Sequence, residues 1–273
     1  MKNRYVNLVV CLLLTIAVGR AQTPDPIPAH DSLRIVSKLL GETRTINVWT
    51  PPGYMEATER LPVMYMPDGG IGEDFPHIAN TLSALIATKR IPPMILVGIE
   101  NTQRRRDLTG PTDVEKDKKI APVVGGSANF RAFIREELFA EISHRYRITD
   151  ERGIIGESLA GLFIVETLLT APDMFDYYIA MDPSLWWNDH YLVRHASDLL
   201  SMLPDDEKRL WFAGSDTKDI SKYTRKLNEI LEAGSYDHLK WQYSDEPKEE
   251  HSTIYRATKE KSLDWMFNPK HGD

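Results

Sequence analysis

Cysteine is almost missing from this sequence. Its 273 residues include one, Cys11. That residue lies in an N-terminal stretch that reads as removable, so the mature chain has no thiol. Disulfides, cysteine nucleophiles and thiolate metal sites are excluded together. An excess of positive charge is also lacking: 33 basic residues stand against 40 acidic ones, a net charge of −7. Such a chain has no general attraction for nucleic acid or anionic membranes. There is no H-E-x-x-H, no glycine-rich phosphate fingerprint and no internal repeat, so neither metal nor organic cofactor is implied. Beyond the N-terminus no run is long and apolar enough to cross a bilayer.

The first 21 residues read as a secretory signal. Lys2 and Arg4 give a positive start, Leu8 to Val18 a short apolar core, and Gly19-Arg20-Ala21 a small-residue cleavage region. Its loss removes Lys2, Arg4 and Arg20 and leaves a net charge of −10. A retained N-terminal anchor is the other reading of this segment. Residues 22–30 are a proline-rich, flexible lead-in, and residues 31–273 read as a single domain.

In that domain strands and helices alternate. Leu33–Leu40 and Thr43–Thr50 form a hairpin pattern; Leu61–Met66, Met94–Ile99, Gly153–Gly156, Tyr177–Met181, Leu210–Ala213 and Leu239–Tyr243 are short apolar strands. Helical patterns cover Phe75–Thr88, Ala128–Tyr146, Leu159–Leu169 and Ser252–Phe267. The spacing predicts βαβ units in an α/β fold: a mostly parallel sheet of about eight strands with helices on both faces. A long polar connection, Glu100 to Ser127, carries the run Arg104-Arg105-Arg106-Asp107. Connections of that length are commonly functional or mobile.

The candidate nucleophile is in Gly156-Glu157-Ser158-Leu159-Ala160-Gly161. A serine nucleophile needs a sharp strand-to-helix turn, usually written G-x-S-x-G. The turn lifts the hydroxyl clear of the sheet and leaves the next N–H free for an oxyanion. Here Ala160 takes the last glycine's place and Gly161 follows one residue late. A helix-capping serine would give the same local pattern, so the neighbouring segments decide. In such sites an acid and then a histidine follow the serine along the chain. His251 lies between the last strand and the last helix, where a base belongs. His238 lies at the opposite end of that strand, and His190, His195 and His271 fit less well. Asp216, at the carboxyl end of Leu210–Ala213, is the expected acid. Asp219, Glu246, Glu249 and Glu250 are rivals, and a Ser–His pair without a dedicated acid is a further possibility.

With these residues in place, nearly all of the mature chain resembles an esterase family of α/β-hydrolases. The family includes esterase D-like enzymes, feruloyl and acetyl-xylan esterases, and enterobactin-type siderophore esterases. The resemblance rests on Leu61-Pro62-Val63-Met64-Tyr65-Met66-Pro67-Asp68-Gly69, Val97-Gly98-Ile99-Glu100-Asn101, Arg105-Arg106-Asp107-Leu108-Thr109 and Phe133-Ile134-Arg135-Glu136-Glu137-Leu138. It also rests on Gly156 to Phe163 and on Asp182-Pro183-Ser184-Leu185-Trp186-Trp187. The siderophore-esterase branch is the most similar. The family usually has His where this chain has Glu157, Gly at Ala160 and often Ser at Asp182. Glu157 would slow acyl chemistry or favour a cationic substrate if its side chain enters the site, and have no role if it points away.

The resemblance implies a serine carboxylic-ester hydrolase with Ser158 as nucleophile, His251 as base and Asp216 as acid. The N–H groups of Leu159 and of Gly70 or Ile71, after the strand Leu61–Met66, are the expected oxyanion donors. Trp186 and Trp187 are candidates for an aromatic substrate wall, although one of them is expected to pack in the core. Among the arginines, one is expected to fix Asp107 while another, Arg106 being the candidate, meets substrate. The expected partner is a small-molecule siderophore lactone or a glycan acyl ester. The expected location is secreted or periplasmic, with no membrane association after signal removal. An acyltransferase, or a binding module that kept the fold, are the rival readings.

Overall fold

The computed structural model describes residues 24–268. The predicted signal and His271 lie outside these residues. Eight strands form one sheet: β1 (Asp31–Ser37), β2 (Glu42–Trp49), β3 (Leu61–Pro67), β4 (Ile95–Ile99), β5 (Ile148–Glu157), β6 (Tyr177–Met181), β7 (Lys208–Gly214) and β8 (Leu239–Asp245). Their spatial order is β1-β2-β4-β3-β5-β6-β7-β8. β2 pairs antiparallel with both β1 and β4, and every other pairing is parallel. The β1–β2 turn closes at Gly41, whose φ of 67° favours a residue without Cβ.

The helices that matter for the site are α1 (Phe75–Ala87), α2 (Leu159–Thr170), α3 (Lys218–Ala233) and α4 (Ile254–Phe267). Strand side chains alternate between two apolar layers, as the pleat requires. Ile154, Tyr178, Ala180, Leu210 and Phe212 join the layer under α2 and α3. Ile155, Ile179, Met181, Trp211 and Ala213 join the layer under α1 and α4. Both faces of the parallel sheet are therefore covered, which explains its strands' near-continuous apolar sequences. The predicted helix at Ala128–Tyr146 is helical but not uniform. A π-helical turn, Phe133–Leu138, separates Ser127–Ala132 from Phe139–Arg145. Phe130, Phe133, Ile134, Leu138, Phe139 and Ile142, which helical spacing puts on one face, are all buried.

The chain leaves β3 towards β4 on one side and leaves β5 towards β6 on the other. The carboxyl ends of adjacent β3 and β5 thus form the point where strand order reverses, the usual ligand crevice of an open α/β sheet. Asp68-Gly69-Gly70 follows β3 and Ser158 follows β5. The long polar connection is fastened beside them. Fully buried Arg44 on β2 donates to Asp107 Oδ2 at 2.7 Å. Arg106 reaches Glu42 at 2.8 Å and Asp107 at 2.6 Å. The Gly126 N–H donates to the Arg106 carbonyl at 2.8 Å.

Candidate active site

Ser158 sits between β5 and α2 with φ 61° and ψ −116°. A non-glycine residue in that region is strained, and the surroundings hold it there. The Ser158 N–H donates to the Met181 carbonyl at 3.0 Å, and the Ser184 N–H donates to the Ser158 carbonyl at 3.0 Å. The small neighbours are steric necessities. A Cβ on Gly156 would lie 2.6 Å from that of Ala160, so alanine fits only opposite glycine. A Cβ on Gly161 would lie 3.0 Å from both the Met181 carbonyl oxygen and Pro183 Cα. The late glycine thus lets α2 lie against the chain that leaves β6.

That chain carries the residue the sequence reading missed. His251 Nε2 lies 3.0 Å from Ser158 Oγ. His251 Nδ1 lies 2.7 Å from Oδ2 of Asp182, not from Asp216. The expectation of Asp216 is corrected on this geometry. Asp216 is exposed, and its N–H donates to the Glu249 carbonyl at 3.0 Å. It ties the His251 loop to the end of β7 through its backbone, while its carboxylate stays in solvent. Among the rivals, Glu246 holds Lys261 and Ser244, and Glu249 accepts from Thr253.

Asp182 is built for the position. Its side chain is 0% exposed. Oδ1 accepts the Ser215 N–H at 2.6 Å, and Oδ2 accepts the Ser215 hydroxyl at 2.7 Å. Its own N–H donates to the Ala213 carbonyl at 3.0 Å. Its φ of 46° turns the chain sharply at the strand end. A sequence signal existed: an aspartate at a strand's carboxyl end. Ser184 and Ser215 were also missed; Ser184 Oγ lies 3.4 Å from Ser158 Oγ.

The hydrogen bond with Asp182 raises the His251 pKa, burial opposes that, and the charges of Glu157 and Asp182 add to it. With Nδ1–H donating to Asp182, Nε2 is the lone-pair nitrogen that faces the serine hydroxyl. Leu159 is the first residue of α2, so its N–H has no acceptor inside the helix and lies at the positive end of the helix dipole. The other expected donor divides. The Gly70 N–H is already given to Glu73 Oε2 at 2.7 Å, which argues against Gly70. Ile71, partly exposed at the loop tip, is the remaining candidate of the pair.

The expected substrate residues also divide. Arg106 is held between Glu42 and Asp107, so its guanidinium fixes the loop; the proposed substrate contact is corrected. Arg104 grips Asp68 with two bonds of 2.6 and 2.7 Å. Trp187 is buried, and its indole N–H donates to the Gly110 carbonyl at 2.9 Å. It is the core-packing member of the pair, and it walls a cavity of about 270 Å³ with Pro111, Leu162 and Leu192. Leu162 lies one helical turn beyond Ser158, its N–H bonded to the Ser158 carbonyl at 2.9 Å. Trp186 is half-buried against Trp187, with ring centroids 6.0 Å apart. Glu157 is half-buried; its Oε1 is closed off from solvent and has no hydrogen-bond partner.

The sheet order, the turn after β5 and the three juxtaposed side chains give the architecture of an α/β-hydrolase. Within that class the chain belongs to the family described as "Putative esterase", whose model matches residues 37–267. It is therefore a carboxylic ester hydrolase. It is 29% identical over 197 residues to the ferri-bacillibactin esterase BesA of Bacillus subtilis, covering 65% of this chain and 68% of that one. It is 36% identical over 201 residues to a siderophore triacetylfusarinine C esterase of Aspergillus fumigatus, covering 66% of this chain and 64% of that one. Among solved structures, an IroE-like serine hydrolase from Shewanella oneidensis superposes with a TM-score of 0.77 at 26% identity. That match covers 86% of this chain and 79% of the other.

Proposed function

We propose that the chain is an exported serine esterase that opens ester bonds of a siderophore. Ser158 Oγ attacks the ester carbonyl while His251 Nε2 takes its proton. Asp182 fixes the imidazole tautomer and offsets the charge of the imidazolium. The Leu159 N–H, with that of Ile71, receives the oxyanion. His251 then returns the proton to the leaving alcohol, and water repeats the sequence on the acyl-enzyme. The observation that carries this reading is the continuous chain from Ser158 through His251 to Asp182, with contacts of 3.0 and 2.7 Å.

The substrate class rests on the relatives named as siderophore esterases. The cavity beside Trp187 offers an apolar wall one helical turn from the nucleophile. Among the described residues no helix is long and apolar enough to cross a membrane. Export is supported by the charged and apolar pattern of residues 1–21.

The test is hydrolysis of iron-loaded and iron-free siderophore lactones by the wild type and Ser158→Ala, followed by mass spectrometry of the products. Linear fragments formed by the wild type and not by the variant are expected. Short aryl esters cleaved while every siderophore stays intact would contradict the substrate class. N-terminal sequencing of protein recovered from the expressing cells checks cleavage after residue 21.

A further inference from the structure

Glu157 is the last residue of β5, directly before the nucleophile. It lies two residues beyond Ile155, which belongs to the layer under α1 and α4, so its side chain leaves the sheet on that same face. The titratable and charged groups on that side, some acting on Glu157 and the others on its neighbours, come from several elements. Asp68, Glu73 and Asp74 come from the loop between β3 and α1, and His77 from α1. Arg104 comes from the long connection, Asp182 from the end of β6, His251 from the loop after β8, and Tyr255 and Lys259 from α4.

Few of these offset a negative charge on Glu157. Arg104 is committed to Asp68 through two hydrogen bonds. His77 lies 3.0 Å from Asp74, and Lys259 lies against His77. The Tyr255 hydroxyl is buried, and like Glu157 Oε1 it has no hydrogen-bond partner. Asp74 and Asp182 oppose ionisation of Glu157, while His251 and Arg104 favour it. A carboxylate placed this way is stabilised when a new positive charge forms beside it. In this site that event is proton transfer from Ser158 to His251.

We propose that Glu157 is a second counter-charge for the His251 imidazolium, in addition to Asp182, and so sets the lower pH limit of the Ser158–His251 pair. Glu157 is thus a positioning residue that acts through His251. Burial, helped by Asp74 and Asp182, pushes its carboxyl up to about 7, and the charge of His251 works against this. The His251 imidazole is raised by its bond to Asp182, against burial, and then by Glu157. Two groups whose charges act strongly on each other titrate as a pair. An anionic Glu157 holds the proton on His251 to higher pH, and the base is idle while it holds that proton.

The inference rests on the serine esterase reading for its kinetics, but not for its titration. Glu157→Gln keeps the side chain's size and removes the charge. In that variant the acidic limb of kcat/KM for a short aryl ester is expected to move to lower pH. At a fixed pH on the limb the rate rises about threefold or more. The His251 imidazole, followed by NMR, shifts in the same direction, and Glu157→Asp keeps the limb nearer to that of the wild type. A limb and an imidazole titration both unmoved in folded Glu157→Gln would overturn the inference, whatever happens to the plateau. The NMR titration reads the coupling even if no ester is turned over. In the wild type the Glu157 carboxyl and the His251 ring should show coupled, two-step curves; independent single-step curves would also overturn it.

Discussion

Glu157→Gln should also make the folded protein more stable in alkaline solution while leaving it nearly unchanged in acid. Burial, with help from nearby carboxylates, moves the Glu157 carboxyl from an ordinary 4.5 to about 7. At about 1.4 kcal/mol per pH unit, ionising it in the folded chain costs up to about 3 kcal/mol. The folded state binds this proton more tightly than the unfolded state. Wild-type stability therefore falls as pH rises from 4.5 to about 7. Below that window the group is neutral in both states and costs nothing; above it the full cost is present. Glutamine has no charge to lose, so the advantage of the variant grows from near zero at about pH 4 to as much as about 3 kcal/mol at about pH 8. Urea denaturation of both proteins across that range measures the difference directly. A difference that stays constant with pH would refute the reasoning, because a packing effect does not titrate.

Three further outcomes follow from the same contacts. Asp182→Asn should lower kcat on an aryl ester by about 10³–10⁴-fold, while Asp216→Asn stays within about twofold of the wild type. Equal losses would contradict the hydrogen bonding of His251. Gly161→Val should destabilise the fold by about 1–3 kcal/mol in thermal or urea unfolding and displace the chain that carries Asp182, since even a Cβ there crowds Met181 and Pro183. Hydrogen bonding from Arg106, followed by that from Thr102 and the nearby guanidinium charges, holds Glu42 down to about 2 against burial. Its stabilising contribution is present above its ordinary 4.5 and is lost as pH falls towards 2. Glu42→Gln should flatten that part of the Tm–pH curve, and an unchanged acid loss would contradict the assignment.

The sheet and the elbow were legible because local pattern determines them. Alternating apolar strands, small residues around Ser158 and a histidine after the last strand each leave a mark within a few positions. Asp182 was not legible in the same way. Which carboxylate meets His251 depends on how far the loop after β8 leans across the sheet. That loop is tied to β7 by the Glu246 N–H to the Gly214 carbonyl and by the Asp216 N–H to the Glu249 carbonyl. From there the imidazole reaches past β7 to the end of β6, and Ser215, directly after β7, orients Asp182 instead of supplying the acid. Gly70 and Arg106 failed for a related reason. Each was read from its position in a motif, and each had already been claimed by a carboxylate distant in sequence or three residues on. Glu157 could be read from sequence only as a departure from the family; the side of the sheet it occupies required the strand register.

The most direct test of the account is covalent trapping of the nucleophile. A fluorophosphonate added to the wild-type protein should form one adduct, and peptide mapping should place it on Ser158. Ser158→Ala should remain unlabelled, and His251→Ala should label far more slowly. Labelling of Ser158→Ala at the wild-type rate, or an adduct mapped to another residue, would contradict the claim that Ser158, served by His251 and Asp182, carries the ester chemistry.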